Sequence, residues 1–106
     1  MKRGEVYWFT FESPNKRRPV LVLTRDSALG FLQSIVVAPI TTNIRNIPSE
    51  VYLDEEDGML EPCVANFDNL LTVPMNRLDE RLCCLPLTRM LEVENAISFA
   101  LGFLQH

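Results

Sequence analysis

Polar side chains with the chemistry to handle a phosphate stand at the ends of apolar runs in this chain. Arg18 precedes Pro19-Val20-Leu21-Val22-Leu23, and Thr41 and Thr42 follow Ile35-Val36-Val37-Ala38-Pro39-Ile40. Asp68 lies in Asn66-Phe67-Asp68-Asn69, just past Cys63-Val64-Ala65. The planar fork of an arginine grips two phosphate oxygens and stays charged at physiological pH. A hydroxyl can hydrogen-bond a non-bridging oxygen where negative charge grows in a transition state. A carboxylate can accept a proton from a ribose 2′-hydroxyl, or orient the arginine. Brought together, such groups can cleave a phosphodiester without a metal ion.

Each residue also has a plainer reading. Arg18 can be a solvated charge in a basic turn, and threonine is common at strand ends. Asp68 can bond its own backbone two residues on. Lys16 and Arg17 extend Arg18 into a local basic patch, which is what docking a phosphate needs. Asn66 and Asn69 offer neutral donors to bases or phosphates. Tyr7, Trp8, Phe9 and Phe11 could stack on bases, although core roles are the ordinary expectation for most of them.

The elements that must position these groups are short strands. The 106 residues, 47% hydrophobic and 23% charged, suit one folded domain over 1–106. Gly4 to Phe11 reads as a strand, followed by a turn over Glu12 to Lys16. Pro19–Thr24 and Ile35–Ile40 are apolar on both alternating faces and should be covered on both sides. Pro39 lacks an N–H, so an edge or bulge position near its strand end is expected. Asp26–Leu32 should hold a helical turn. Further strands are expected over Ser49–Leu53, Cys63–Phe67, Leu70–Val73 and Arg81–Leu85, with a turn at Asp57-Gly58. Leu87 to Phe103 carries apolar residues at helical spacing, from Leu87, Met90 and Leu91 to Ala100, Leu101 and Leu104; Gly102 weakens the last turn. The whole suggests a barrel-like β domain with a helix across it.

The formal net charge of −4 argues against a general nucleic-acid binder. Yet Lys16, Arg17, Arg18, Arg25 and Arg45 fall in the first half, leaving room for a local patch. The acidic turn Asp54-Glu55-Glu56-Asp57 reads as solvated surface. Cys63, Cys83 and Cys84 make no disulfide or zinc pattern, since His106 is the only histidine; they read as small buried hydrophobes. No apolar run approaches the roughly 20 residues that span a bilayer, and no signal peptide is legible. The expectation is a cytoplasmic protein with no membrane association, metal or cofactor.

Three blocks carry a resemblance: Gly4-Glu5-Val6-Tyr7-Trp8, Arg17-Arg18-Pro19-Val20-Leu21-Val22-Leu23 and Val37-Ala38-Pro39-Ile40-Thr41-Thr42. With Pro48-Ser49-Glu50-Val51, Val64 to Thr72 and Met90 to Ile97, they resemble the MazF/PemK/Kid toxins of bacterial toxin–antitoxin systems in the same order along almost the whole chain. The resemblance implies an SH3-like, partly open β-barrel of the MazF/Kid/CcdB type with a C-terminal helix, usually a homodimer. It implies a sequence-selective, metal-independent endoribonuclease acting on single-stranded RNA and held inactive by a cognate antitoxin. The family's reactive Arg falls on Arg18, its reactive Thr on Thr41, and the acidic residue of the Kid branch on Asp68. Two departures stand out. The loop at 12–16 is short and lacks the histidine found in some relatives, and Asn66 replaces an arginine of the Kid branch.

On this reading the 2′-hydroxyl attacks its own phosphorus, leaving a 2′,3′-cyclic phosphate and a 5′-hydroxyl. Arg18 and Thr41 would stabilise the phosphorane, and Asp68 would act as base or orienter. Two alternatives share the fold: a gyrase-poisoning toxin, and a relative that binds without turnover. Leu70-Leu71 and Leu101-Phe103-Leu104 are candidates for a dimer seam.

Overall fold

The architecture is an antiparallel β sheet with one C-terminal helix. A computed structural model describes residues 1–12 and 16–103, so most of the expected turn at 12–16, and Leu104 and His106, lie outside the described residues. Seven strands are formed: β1 (Glu5–Phe11), β2 (Lys16–Val22), β3 (Ser34–Thr41), β4 (Glu50–Leu53), β5 (Cys63–Asn66), β6 (Leu71–Pro74) and β7 (Leu78–Cys84). Helix α1 spans Leu87–Ala100. The strands run β4-β5-β3-β2-β1-β7, with β6 also paired to β3. Among the described residues β4 and β7 do not pair with each other, so the curved sheet is not a closed barrel.

The apolar runs of β2 and β3 explain this shape. Leu21, Ala38 and Ile40 join Val6, Leu53, Phe67, Val93 and Ala96 in one core, over which α1 lies. The alternate residues Val20, Val22, Ile35 and Val37 join Phe9 and Val73 in a second core. Each strand feeds both cores, as expected for a run without polar alternation.

Several boundaries differ from the sequence expectation. β2 begins at Lys16 rather than Pro19, because Arg17 and Lys16 continue the hairpin opposite Thr10 and Phe11. The helical turn expected over Asp26–Leu32 is a single 3-10 turn at Asp26–Ala28. β7 begins at Leu78 rather than Arg81, as an edge strand paired with β1 only. Pro39 is not on an edge: β3 has partners on both sides. It falls where the neighbour changes, between the Val37–Leu71 pairing with β6 and the Ile40–Ala65 pairing with β5, so the missing N–H comes where the ladder is already interrupted.

The helix stops at Ala100, three residues short of expectation. Gly102 adopts φ 82°, the Gly102 N–H bonds the Phe99 carbonyl, and the Phe103 N–H reaches back to Ser98 at 2.7 Å. This is the Schellman arrangement, with glycine supplying the left-handed residue. Its buried face is also narrower than the apolar stripe: Val93 and Ala96 are buried, with Met90, Ile97 and Ala100 against the core, while Leu87, Leu91 and Leu101 face outward.

Two compositional expectations are corrected. Cys63 is buried and Cys83 half-buried, but Cys84 is exposed at the end of the edge strand β7. In the acidic turn, Glu55 and Glu56 are exposed but Asp57 is buried. Asp54 and Asp57 form a reciprocal capping box around a 3-10 turn, and both oxygens of Asp57 accept from Arg89 Nε at 3.1 Å. Asp57 thus ties this turn to α1, and burial is tolerated because the charge is paired.

Candidate functional site

Arg18 and Thr41 come together from different strands. Arg18 lies in β2 and Thr41 ends β3; adjacency of β2 and β3 brings both to the rims of two clefts. The first cleft, about 320 Å³, includes Trp8, Lys16, Arg17 and Thr42 beside Arg18 and Thr41, with Met59 and Cys63 among its lining. The second, about 300 Å³, is bordered by Arg18, Thr41, Asn43, Arg45, Asn66 and Asn69. Arg18 and Thr41 therefore form a ridge shared by both.

Hydrogen bonds determine what these groups have left to offer. Arg18 is half-buried, and its side chain makes no hydrogen bond or ion pair with any described residue. By contrast, Arg45, Arg77, Arg81 and Arg89 each sit on a carboxylate. The fork of Arg18 is thus open to an external anion. Thr41 Oγ1 accepts the Asn43 N–H at 3.2 Å, which fixes the side chain and leaves its hydroxyl proton to donate elsewhere. Asn66 is buried, and its Oδ1 accepts the Asp68 N–H at 2.8 Å. That bond assigns the amide orientation and leaves Nδ2 as a donor on the second cleft.

Asp68 is placed differently. It is exposed and lines neither cleft, although Asn66 and Asn69 on either side line the second. Its Oδ2 accepts the hydroxyl of the buried Ser49 at 2.5 Å, and no contact joins it to Arg18 or Thr41. The Asn66 bond to the Asp68 N–H is a side-chain-to-backbone turn of the kind the plainer reading of this segment anticipated, with Asn66 rather than Asp68 as acceptor.

Of the aromatics, Phe9 is buried, in edge-to-face contact with Phe11. Trp8 alone lines the first cleft, with the Arg17 guanidinium 4.5 Å from its ring centroid. The register explains the contact: Trp8 opposes Pro19 and Thr10 opposes Arg17, making Trp8 and Arg17 diagonal neighbours on one face. The sulfur groups below are not nucleophiles at neutral pH. Burial pushes the Cys63 thiol up to about 12 and the Cys83 thiol up to about 11. Among the described residues no group of three or more His, Cys, Asp or Glu could hold a metal ion, and no helix is long and apolar enough to cross a membrane.

The fold is an open antiparallel sheet with a terminal helix, carrying an arginine without a side-chain partner among the described residues beside a strand-end threonine. Residues 2–101 match the PemK-like, MazF-like toxins of type II toxin–antitoxin systems, and the chain belongs to that family. It is 36% identical over 103 residues to the Mycobacterium tuberculosis protein named "Probable endoribonuclease MazF2", covering 96% of this chain and 99% of the relative. It is 40% identical over 68 residues to "Endoribonuclease MazF3" of the same organism, covering 64% of this chain and 66% of that protein, just under two thirds. Among solved structures, the Mycobacterium tuberculosis toxin MazF-mt6 matches with a TM-score of 0.85 and 32% identity over 92% of this chain and 96% of that one. A MazE-MazF structure from Deinococcus radiodurans matches with a TM-score of 0.79 and 26% identity, covering 96% and 95%.

Arg45, on the wall of the second cleft, is not among the sequence candidates, and Trp8, on the first, is only one of four candidate aromatics there. Alternation along β1 separates buried Phe9 from Trp8, a signal available in principle. No short-range pattern marks Arg45, whose setting depends on Glu50 across a loop.

Proposed function

We propose that this chain is a metal-independent endoribonuclease toxin that cuts single-stranded RNA at selected sequences. The observation that carries the proposal is the half-buried Arg18 guanidinium, without a carboxylate partner among the described residues, on a ridge between two clefts. A phosphodiester laid on that ridge would leave one neighbouring nucleotide in each cleft.

The reaction needs little from the protein because the nucleophile belongs to the substrate. The 2′-oxygen forms a bond to phosphorus and the bond to the 5′-oxygen breaks; the 2′-proton is lost to a base and the 5′-oxygen takes one from water. Arg18 offsets the charge that builds on the phosphoryl oxygens, and the Thr41 hydroxyl donates to one of them. Lys16, Arg17 and Thr42 bind substrate on the first cleft, with Asn66 and Asn69 on the second. The 2′-proton goes to Asp68 or to water, since Asp68 lies outside both clefts with its carboxylate held by Ser49. The products are a 2′,3′-cyclic phosphate and a 5′-hydroxyl.

A cognate antitoxin holds the toxin off, and the working form is a cytoplasmic homodimer. Support for these partners is family membership, the Deinococcus radiodurans structure of MazE-MazF, and the apolar Leu101 and Phe103 beyond the helix, both exposed. Incubating the pure protein with total RNA in EDTA tests the activity: discrete fragments with cyclic-phosphate ends are expected. Intact RNA beside trapped gyrase–DNA complexes would point instead to gyrase poisoning, and intact RNA with retained RNA binding to a non-catalytic relative.

A further inference from the structure

The second cleft contains a guanidinium that the cleavage step does not use. Arg45 lies in the loop between β3 and β4, and Glu50 opens β4. The Glu50 carboxylate is 1% exposed and spends both oxygens on Arg45. Oε1 accepts the Arg45 backbone N–H at 3.0 Å, and Oε2 accepts Nε at 3.0 Å. One buried acid thus clamps the main chain and the side chain of a single arginine.

That clamp leaves the business end of the fork open. The terminal Nη1 and Nη2 groups of Arg45 bond no described residue, and its side chain is 49% exposed. It borders the same cleft as Arg18, Thr41, Asn66 and Asn69. Holding a long cation in one orientation removes the ordering cost that an anion would otherwise meet on binding. A planar pair of N–H donors at a fixed place suits phosphate oxygens better than a base edge that varies.

Resting on the endoribonuclease reading above, the geometry points to a second phosphate subsite at Arg45. It takes the phosphodiester next to the one on Arg18 along the RNA, and Glu50 is the positioning residue that aims it. Arg18 then acts on the reacting phosphate, while Arg45 binds ground state and transition state alike. Loss of Arg45 should therefore appear in KM rather than kcat.

The test uses an RNA oligonucleotide carrying the cleavage motif found by end-mapping, cut by the full chain at several salt concentrations. Arg45→Ala should raise KM about tenfold, the scale of one lost charge-assisted contact, with kcat nearly unchanged. The slope of log KM against log salt should fall by about 0.7, the value for one phosphate contact on a single strand. Replacing one flanking phosphate by a neutral methylphosphonate should raise the wild-type KM and add nothing in Arg45→Ala. Since Arg45→Ala also strands a buried acid, the paired change Arg45→Met with Glu50→Gln provides a second variant, and it should show the same split. Unchanged KM and salt slope would overturn the subsite. So would kcat, KM and melting temperature worsening together at constant slope, which is the signature of a loop staple. A wild type that leaves RNA intact overturns the nuclease reading, and the subsite with it; an active wild type with an indifferent Arg45 overturns the subsite alone.

Discussion

Four of the eight arginines, Arg45, Arg77, Arg81 and Arg89, sit on a carboxylate; Arg18 does not, and unlike Arg3, Arg17 and Arg25 it is half-buried. An ion-paired guanidinium would have to give up its partner before accepting a phosphate, and Arg18 has no such partner among the described residues. Thr41 is fixed in a complementary way, since the acceptor side of its hydroxyl is occupied by Asn43. Thr41→Ser should keep most of the cleavage rate and Thr41→Val should not, as measured by single-turnover cleavage at saturating enzyme. Asp68→Asn preserves an acceptor for Ser49 while removing the base; kcat should fall about 10²-fold. An unchanged kcat would move proton acceptance to another group. The extended setting of Arg18 at the head of an apolar run was legible in sequence, because Pro19 disfavours helical backbone at the residue before it. The clamp on Arg45 was not, because two charges separated by a loop announce nothing until the loop is folded.

At the scale of elements, Arg18 and Thr41 meet because β2 and β3 pair antiparallel, each strand anchored in both cores. Their unbroken apolar runs made them legible, and the helix followed from its periodicity. Edges were harder. β7 opens with Leu78-Asp79-Glu80, and a strand with one paired side and much of the other wet shows neither a long apolar run nor strict alternation. The acidic turn also misled, because its charge pattern resembles solvated surface while Asp57 turns inward to Arg89. Gly58, which ends that turn, shows how closely it packs: its φ is 98°, and an added Cβ would lie 2.6 Å from Cys83 Cβ. Gly58→Ala should destabilise the fold by at least about 1–3 kcal/mol, the scale of one strained residue, read as a lower urea midpoint at unchanged m-value. A midpoint equal to wild type would mean that this turn is not packed against β7.

Across the whole molecule, a single buried acid links the start of the chain to its last strand. Glu5 opens β1, and its carboxylate accepts from Arg81 Nη1 on β7 at 2.8 Å. Burial works to raise its pKa, but the bonds from Arg81, the Lys2 N–H and the Tyr7 hydroxyl together hold it below the ordinary carboxylate value of 4.5. The unfolded chain therefore takes up this proton first as pH falls. The contribution of Glu5 is complete above about pH 4.5 and is lost as pH drops through the lower folded value. Urea midpoints for wild type should decline over that acidic range more steeply than those of Glu5→Gln; parallel curves would remove Glu5 from the pH response. Assembly belongs to the same scale. Leu101→Glu with Phe103→Glu should reduce the mass seen by light scattering from dimer to monomer, since both side chains are exposed beyond the helix. An unchanged dimer would place the seam elsewhere.

The most direct measurement compares purified wild type with Arg18→Ala on total RNA in EDTA, reading fragment ends by sequencing and rates by gel. The wild type should make motif-specific cuts, with cyclic phosphates upstream and 5′-hydroxyls downstream. Arg18→Ala should cut more slowly by about 10²–10³ with an unchanged melting temperature. Equal cleavage by the two proteins would contradict this role for Arg18.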